Sequence, residues 1–379
     1  MARRSKVARW VKRGSTLLLL MATGAVLLFS QCEQFGAVPS GSHHQRMTES
    51  PNYNSEKDIF VNETPGVIDE MFAHSGFWAN PRKNLTNNFL FNPNTPTPNV
   101  FLPEVRGHLP SDLRDTSDTV KFTWLGHATV LASINEKTIL FDPVFSESAA
   151  PVSWVVKRYQ PPAISIDELP SIDFIVISHD HYDHLDMSTI QSLDESMFFV
   201  PLGVDEHLKV WDIPPNQIMT FDWYDEATIS EGFDIALTPS QHFSGRGLTR
   251  DGALWGSWVV QIENHSIYFS GDSGYSKEFV EINNRYGPFD IAICEAGQYN
   301  EAWDQIHMYP EQAIKAAIDL NATTMIPIHN TKYILALHEW DDPLERVYQE
   351  GKRTNQHVST PMIGESFVLG EPMEDNPWW

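Results

Sequence analysis

Apolar residues in this chain fall into short unbroken runs, and several runs end on a histidine or an aspartate. Phe174-Ile175-Val176-Ile177 leads into His179, and Phe233-Asp234-Ile235-Ala236-Leu237 leads towards His242. Ser266-Ile267-Tyr268-Phe269-Ser270 leads into Asp272, and Thr324-Met325-Ile326 leads into His329. Runs of this length, rich in β-branched and aromatic residues, predict buried strands. Val120-Lys121-Phe122-Thr123-Trp124 predicts the first core strand, and Val130 to Ile134 with Thr138 to Phe141 predict a hairpin turning at Asn135-Glu136. Helical patterns are fewer. Asp186 predicts the cap of a short helix. Pro310 opens a helix through Leu320, with Ile314, Ala317 and Ile318 on one face. No internal repeat is visible.

Residues 33–117 lack a period and are rich in Asn and Pro, yet they carry Phe72, Phe77, Trp78, Phe89 and Phe91. This predicts an extended segment packed on a core domain at 118–370, with an acidic tail at 371–379 that ends in Trp378-Trp379. Residues 1–32 read as a targeting leader. Basic residues precede an apolar run, Leu17 to Phe29, short for a membrane span, and Cys32 follows. That order predicts export to the cell envelope and membrane attachment through the N-terminus, lipid-anchored at Cys32 or signal-anchored. The second cysteine, Cys294, lies in the strand-like Ile291-Ala292-Ile293-Cys294 and is expected to be buried and unpaired.

Charge narrows the partners. The 379 residues carry a net charge of −24, and all the charge in the leader is positive. A body this acidic excludes nucleic acid as a partner, because phosphate backbones need basic patches. It also disfavours docking by attraction to anionic lipid.

His179-Asp180-His181-Tyr182-Asp183-His184 packs four metal-ligating side chains into six residues behind a buried strand. Alternate side chains of an extended segment point the same way, so His179 and His181 can share one ion. Asp183 and His184 lie further along and can reach a second. His43, His44, His74, His108, His207, His265 and His357 have no motif context and are expected to be structural or exposed.

Taken with His242, Asp272 and His329, this order of motifs resembles the metallo-β-lactamase superfamily from about Val120 to Leu369. The resemblance implies an α/β fold, the four-layer αββα sandwich, here with an extended N-terminal segment. It implies two zinc ions: one held by His179, His181 and His242, the other by Asp183, His184 and His329, with Asp272 bridging. Such open sites are catalytic. Imidazole with carboxylate favours zinc, and the ligand types leave iron or manganese open.

Within the superfamily, His181 stands where di-iron oxygen reductases place Glu, and Gln241-His242-Phe243-Ser244-Gly245-Arg246 differs from the thioesterase segment. The chain resembles the bacterial, membrane-associated branch that contains N-acyl-phosphatidylethanolamine-hydrolysing phospholipase D. Trp124-Leu125-Gly126-His127-Ala128-Thr129, Phe141-Asp142-Pro143, Leu254-Trp255-Gly256 and Gly271-Asp272-Ser273-Gly274-Tyr275 carry that resemblance with the metal motifs. It implies a phospholipid or small phosphodiester substrate. Asp183, Asp272 and His307 would be catalytic, and Tyr182 and His307 would contact substrate. Ile306 stands where the lipase has Gln. Arg246 suits a phosphate clamp, His127 is placed to line the site, and His338-Glu339-Trp340 to border it. A lactonase or other small-ester hydrolase is the alternative enzyme. An envelope protein with structural metal is the non-enzymatic one. Oligomeric state is not legible.

Overall fold

The computed structural model describes residues 33–75, 97–107, 109–247, 250–371 and 377–379. The leader with Cys32, together with Phe77, Trp78, Phe89, Phe91 and most of the acidic tail, lies outside the described residues. In chain order the N-terminal segment contains α1 (Gly41–Thr48), β1 (Tyr53–Asn54), β2 (Ile59–Phe60) and α2 (Val67–Ser75). The first half of the core follows as β3 (Lys121–Trp124), β4 (Val130–Ile134), β5 (Lys137–Phe141), β6 (Phe174–Val176), α3 (Met187–Ser192), β7 (Met197–Pro201), α4 (Asp205–Val210) and β8 (Ile218–Phe221). The second half is β9 (Glu226–Ser230), β10 (Phe233–Thr238), β11 (Ser257–Ile262), β12 (His265–Phe269), α5 (Glu278–Tyr286), β13 (Phe289–Glu295), α6 (Pro310–Asp319), β14 (Ala322–Ile328), α7 (Asp342–Thr354), β15 (His357–Val358) and β16 (Ser366–Val368).

These form two seven-stranded sheets, β16-β3-β4-β5-β6-β7-β8 and β15-β14-β13-β12-β11-β10-β9. Read from β16 and from β9, each sheet has three antiparallel ladders and then three parallel ones. The sequence shows no repeat, but the backbone pairing does.

The apolar runs are continuous because both faces of the sheets are covered. Ile139, Phe141, Ile267, Phe269, Ile291 and Ile293 point between the sheets. Their neighbours Leu140 and Ile175 face Ile190, Leu208 and Trp211 on one outer side. Tyr268, Ala292 and Cys294 face Phe279, Ile314 and Val347 on the other. This period-two alternation builds the four-layer αββα sandwich. Phe141 and Phe269 stack across the central layer at 4.9 Å.

Several expectations change in detail. In α6 the buried face is Ala313, Ile314 and Ala317, whereas Ile318 is 45% exposed; a strip centred on Ile314 turns Ile318 towards water. Asp186 does occupy the position before α3 but makes no side-chain cap there. Its carboxylate accepts the Phe145 and Ser146 N–H groups instead, tying the β5 loop to the metal motif. The described part of the N-terminal segment contains two helices and is not wholly extended. The side chain of α2 residue Met71 packs with Val67 and Ile306. At the other terminus, Trp378 packs against Trp124 and donates to the Thr360 carbonyl.

Candidate metal centre

The site sits where strands of both sheets end. His179, His181, Asp183 and His184 follow β6, His242 follows β10, Asp272 follows β12 and His329 follows β14. Gly271 permits the close approach of the two halves. Its φ is +54°, and a Cβ there would stand 2.4 Å from the Ser178 Cβ. His127, Asp142 and His329 also hold positive φ angles, of 54°, 39° and 65°. Side-chain-bearing residues rarely adopt these, and such strain gathers at functional sites.

Two sets of donor atoms converge. In the first, His181 Nδ1 lies 2.9 Å from His179 Nε2 and 3.2 Å from His242 Nε2. Asp272 Oδ2 lies 3.9 Å from His179 Nε2 and 3.7 Å from His242 Nε2. In the second, His329 Nε2 lies 3.2 Å from Asp183 Oδ2 and 3.2 Å from Asp272 Oδ2, and His184 Nε2 lies 3.2 Å from Asp272 Oδ1. Asp272 therefore touches both sets. Ligands at about 2.0–2.1 Å in a tetrahedron stand roughly 3.3 Å apart, close to these spacings.

The residues behind the donors aim them. His184 Nδ1 donates to Asp142 Oδ2 at 2.7 Å. His179 Nδ1 donates to Ser178 Oγ, which donates to the same Asp142 oxygen. His242 Nδ1 faces the Ile306 carbonyl at 3.2 Å. Each bond fixes the tautomer that leaves Nε2 free for an ion. His184 Nε2 and Asp272 Oδ1 are buried and have no hydrogen-bond partner, an expensive state that a cation between them would relieve.

Electrostatics agree with this fit. Burial holds the His179, His181 and His242 imidazoles below their ordinary range, hence neutral, as ligation requires. Burial alone would raise Asp183 and Asp272, but His184 and neighbouring imidazoles outweigh it and hold both carboxyls well below theirs. His184 is opposed by burial yet driven well up by Asp272 and Asp183. Two buried carboxylates call for positive charge, which a metal ion supplies more fully than a proton.

A cavity of about 270 Å³ opens over these donors. His181, Asp183, Asp272, His307, His329 and Gln298 line it, with an apolar wall of Met71, Phe243, Trp303, Ile306 and Leu335. His307 thus faces the cavity. It does not cap α6, where Gln312 accepts the Tyr309 N–H instead.

The other expected substrate residues are placed elsewhere. Arg246 is 3% exposed, with its guanidinium bonded to the carbonyls of Gln34, Asp180 and Leu185 and lying over the rings of Tyr182 and Trp211. It holds the metal loop against the N-terminal segment and lines the groove it shares with Gln34, Trp154 and Tyr182 rather than the cavity over the donors. Tyr182 donates to the Arg246 carbonyl at 2.6 Å and lines a separate groove with Trp154 and Gln34. His127 is buried behind the site and contacts Asp183 Oδ2 at 2.9 Å, and burial pushes it down to about 3. Its ring nitrogen groups with those of His184 and His329 and the Asp183 carboxylate, close enough to share an ion, and it does not line the cavity. His338 meets the site only indirectly, by accepting the Gln298 N–H.

Sequence inspection passed over other residues that serve the site. Asp142 orients two ligand histidines. Asn62 bonds the His242 backbone through both its N–H and its C=O. Glu295, wholly buried at the end of β13, lies 3.0 Å from His307 Nδ1. The signal for Glu295 was present: an acidic residue closing an apolar strand, as at the other strand ends.

A two-sheet αββα sandwich with paired His/Asp donor sets at its strand ends defines a metal-dependent hydrolase, and the chain belongs to the metallo-β-lactamase superfamily. The family model for the β-lactamase superfamily domain matches residues 137–330. An uncharacterised protein of Mycobacterium tuberculosis is 38% identical over 277 residues, covering 71% of this chain and 74% of its own length. The N-acyl-phosphatidylethanolamine-hydrolyzing phospholipase D 1 of Caenorhabditis elegans is 35% identical over 233 residues, covering 58% of this chain and 65% of its own length. Igni18, a metallo hydrolase from the archaeon Ignicoccus hospitalis, superposes with a TM-score of 0.53 at 21% identity, over 67% of this chain and 100% of its own. That last likeness is one of fold.

Proposed function

We propose that this protein is a two-zinc phosphodiesterase acting on a phospholipid or related diester. The observation that carries this is the pair of donor sets joined through Asp272 beneath a cavity with one apolar wall. His179, His181 and His242 would hold one ion and Asp183, His184 and His329 the other, with Asp272 between them. The ions, when bound, supply a nucleophile at neutral pH and neutralise charge on the phosphate oxygens. The protein's own part is to hold the donors rigidly, to exclude water through Met71, Phe243, Trp303 and Leu335, and to present His307 to the substrate. The relationship to the nematode phospholipase D supports a phospholipid-type substrate.

One feature favours the lactonase or small-ester alternative. No Lys or Arg lines the cavity among the described residues, so only the ions would meet a diester's charge. Metal analysis with parallel assays on a generic phosphodiester and a generic lactone separates the two. We expect about two ions per chain and diester cleavage. Rapid lactone opening with untouched diesters establishes the alternative. Metal-replete protein inert to both, with every coordination position closed by protein, establishes the structural-metal reading.

The leader supports export and membrane attachment. The attachment is assigned to residues 1–32 on their order of basic residues, the apolar run Leu17 to Phe29 and Cys32; among the described residues no helix is long and apolar enough to cross a membrane. Recovery of the full-length chain from the cytosol contradicts this.

A further inference from the structure

Glu295 is a carboxylate that the two proposed ligand sets leave unused, and it lies against His307 on the cavity wall. It is wholly buried. Its backbone N–H donates to Ser270 Oγ at 2.9 Å, so its place at the end of β13 is set by the neighbouring strand. The side chain is held at its other end too, because Oε1 accepts the Met308 N–H at 2.6 Å. The remaining oxygen, Oε2, lies 3.0 Å from His307 Nδ1 and 3.8 Å from His329 Nδ1. It bonds His307 and not His329, and the carboxyl also meets that of Asp272.

His307 has few other constraints. Its ring lies parallel to that of His329 at 5.3 Å and 5.1 Å from that of His242. These contacts confine the plane of the ring but do not decide which nitrogen faces the cavity. The bond to Glu295 does: with Nδ1 engaged, Nε2 is the ring nitrogen left to the cavity. A carboxyl buried without water is costly unless bonded, and a strand end packed against α6 could be filled by an apolar residue. The acid is therefore better explained by its partner than by packing.

We propose that Glu295 is the positioning residue for His307, and that the pair works as a unit in proton transfer to the leaving group. This rests on the hydrolase reading only in that His307 faces the substrate. The step is conventional. As a water oxygen bonds to the substrate's electrophilic atom, the bond to the leaving oxygen breaks with its electron pair. His307 Nε2, left bare by the Nδ1–H bond to Glu295, takes the proton released by the attacking water and passes it to that pair. Glu295 holds the ring in place throughout.

The test is a double-mutant cycle on the metal-loaded, full-length protein. His307→Ala and Glu295→Gln should each lower kcat by about 10²-fold with little change in KM. Combined, they should be no worse than His307→Ala alone, since residues acting as a unit are not additive. Metal content, and the absorption spectrum of cobalt-substituted protein, should be unchanged in Glu295→Gln. Additive losses, of about 10⁴-fold together, or loss of an ion on changing Glu295, would overturn the proposal and place Glu295 behind His329 instead. Glu295→Asp, which withdraws the carboxylate while keeping its charge, serves in the same cycle if Glu295→Gln does not fold. The cycle is run on whichever substrate class the wild type turns over, so failure of the phosphodiester reading leaves this test intact.

Discussion

Asp142 shows how much one residue outside the donor sets can carry. It is wholly buried and accepts from His184 Nδ1, Ser178 Oγ and the Ser178 N–H. Asp142→Asn replaces an acceptor oxygen with an N–H₂ group that cannot receive the His184 proton. We expect metal affinity to fall about 10- to 100-fold, measured by competition with a chromophoric chelator. His265→Asn, whose ring reaches only the Asp118 carbonyl and Asp290 on the surface, should leave affinity unchanged. His207 would be a poor control: it is buried, bonds Asp180 within the metal motif and accepts the Ala37 N–H. Asp251 carries a second residue-scale prediction. Burial, only partly offset by Arg250, raises its carboxyl to about 6. The folded state thus binds a proton that the unfolded chain has released, so this contribution is present below about pH 4 and is lost as pH rises through about 6. Relative to Asp251→Asn, wild-type stability should fall by about 2 kcal/mol between pH 4 and 7.5. Urea unfolding at several pH values checks this, and a constant difference contradicts it.

The β4–β5 hairpin is the clearest case at the scale of elements. It pairs Ile134 with Lys137 around Asn135 and Glu136, whose φ angles are 47° and 63°. Asparagine tolerates this conformation and glutamate does not. Glu136→Gly should therefore stabilise the protein by up to about 1 kcal/mol, seen as a raised thermal midpoint; an unchanged or lowered one contradicts the assignment. The hairpin was legible because turn and strands are local. The buried face of α6 was less so, since both Ile314 and Ile318 fit a helical stripe and only the packed sheet selects one. The N-terminal segment was least legible. Its bonds run from Asn62 to His242 and from Gln34 to Arg246, across separations that no period in the sequence records.

For the molecule as a whole, the metal centre joins the two halves. One donor set combines residues after β6 with residues after β10 and β12, so each ion would cross-link both sheets. Chelation should therefore lower the thermal midpoint as well as activity. Ligand linkage at a thousandfold excess over Kd is worth about 4 kcal/mol. Restoration by zinc is the expected result, and a metal-free protein with an unchanged midpoint contradicts a bridging site. The net charge of −24 adds self-repulsion that the ions would partly relieve.

The sequence by itself determined the strands, the order of the metal motifs and hence the superfamily. Those signals are local: runs of apolar residues, turn chemistry, and ligands spaced within a few residues of strand ends. Only the tertiary structure decided which histidines face the cavity, that Arg246 is tied to three carbonyls, and that Tyr182 opens onto another groove. It alone brought Asp142 behind His184 and Glu295 behind His307. Side-chain direction at a strand end depends on the loop that follows and on what packs against it, and both are set by residues distant in the chain.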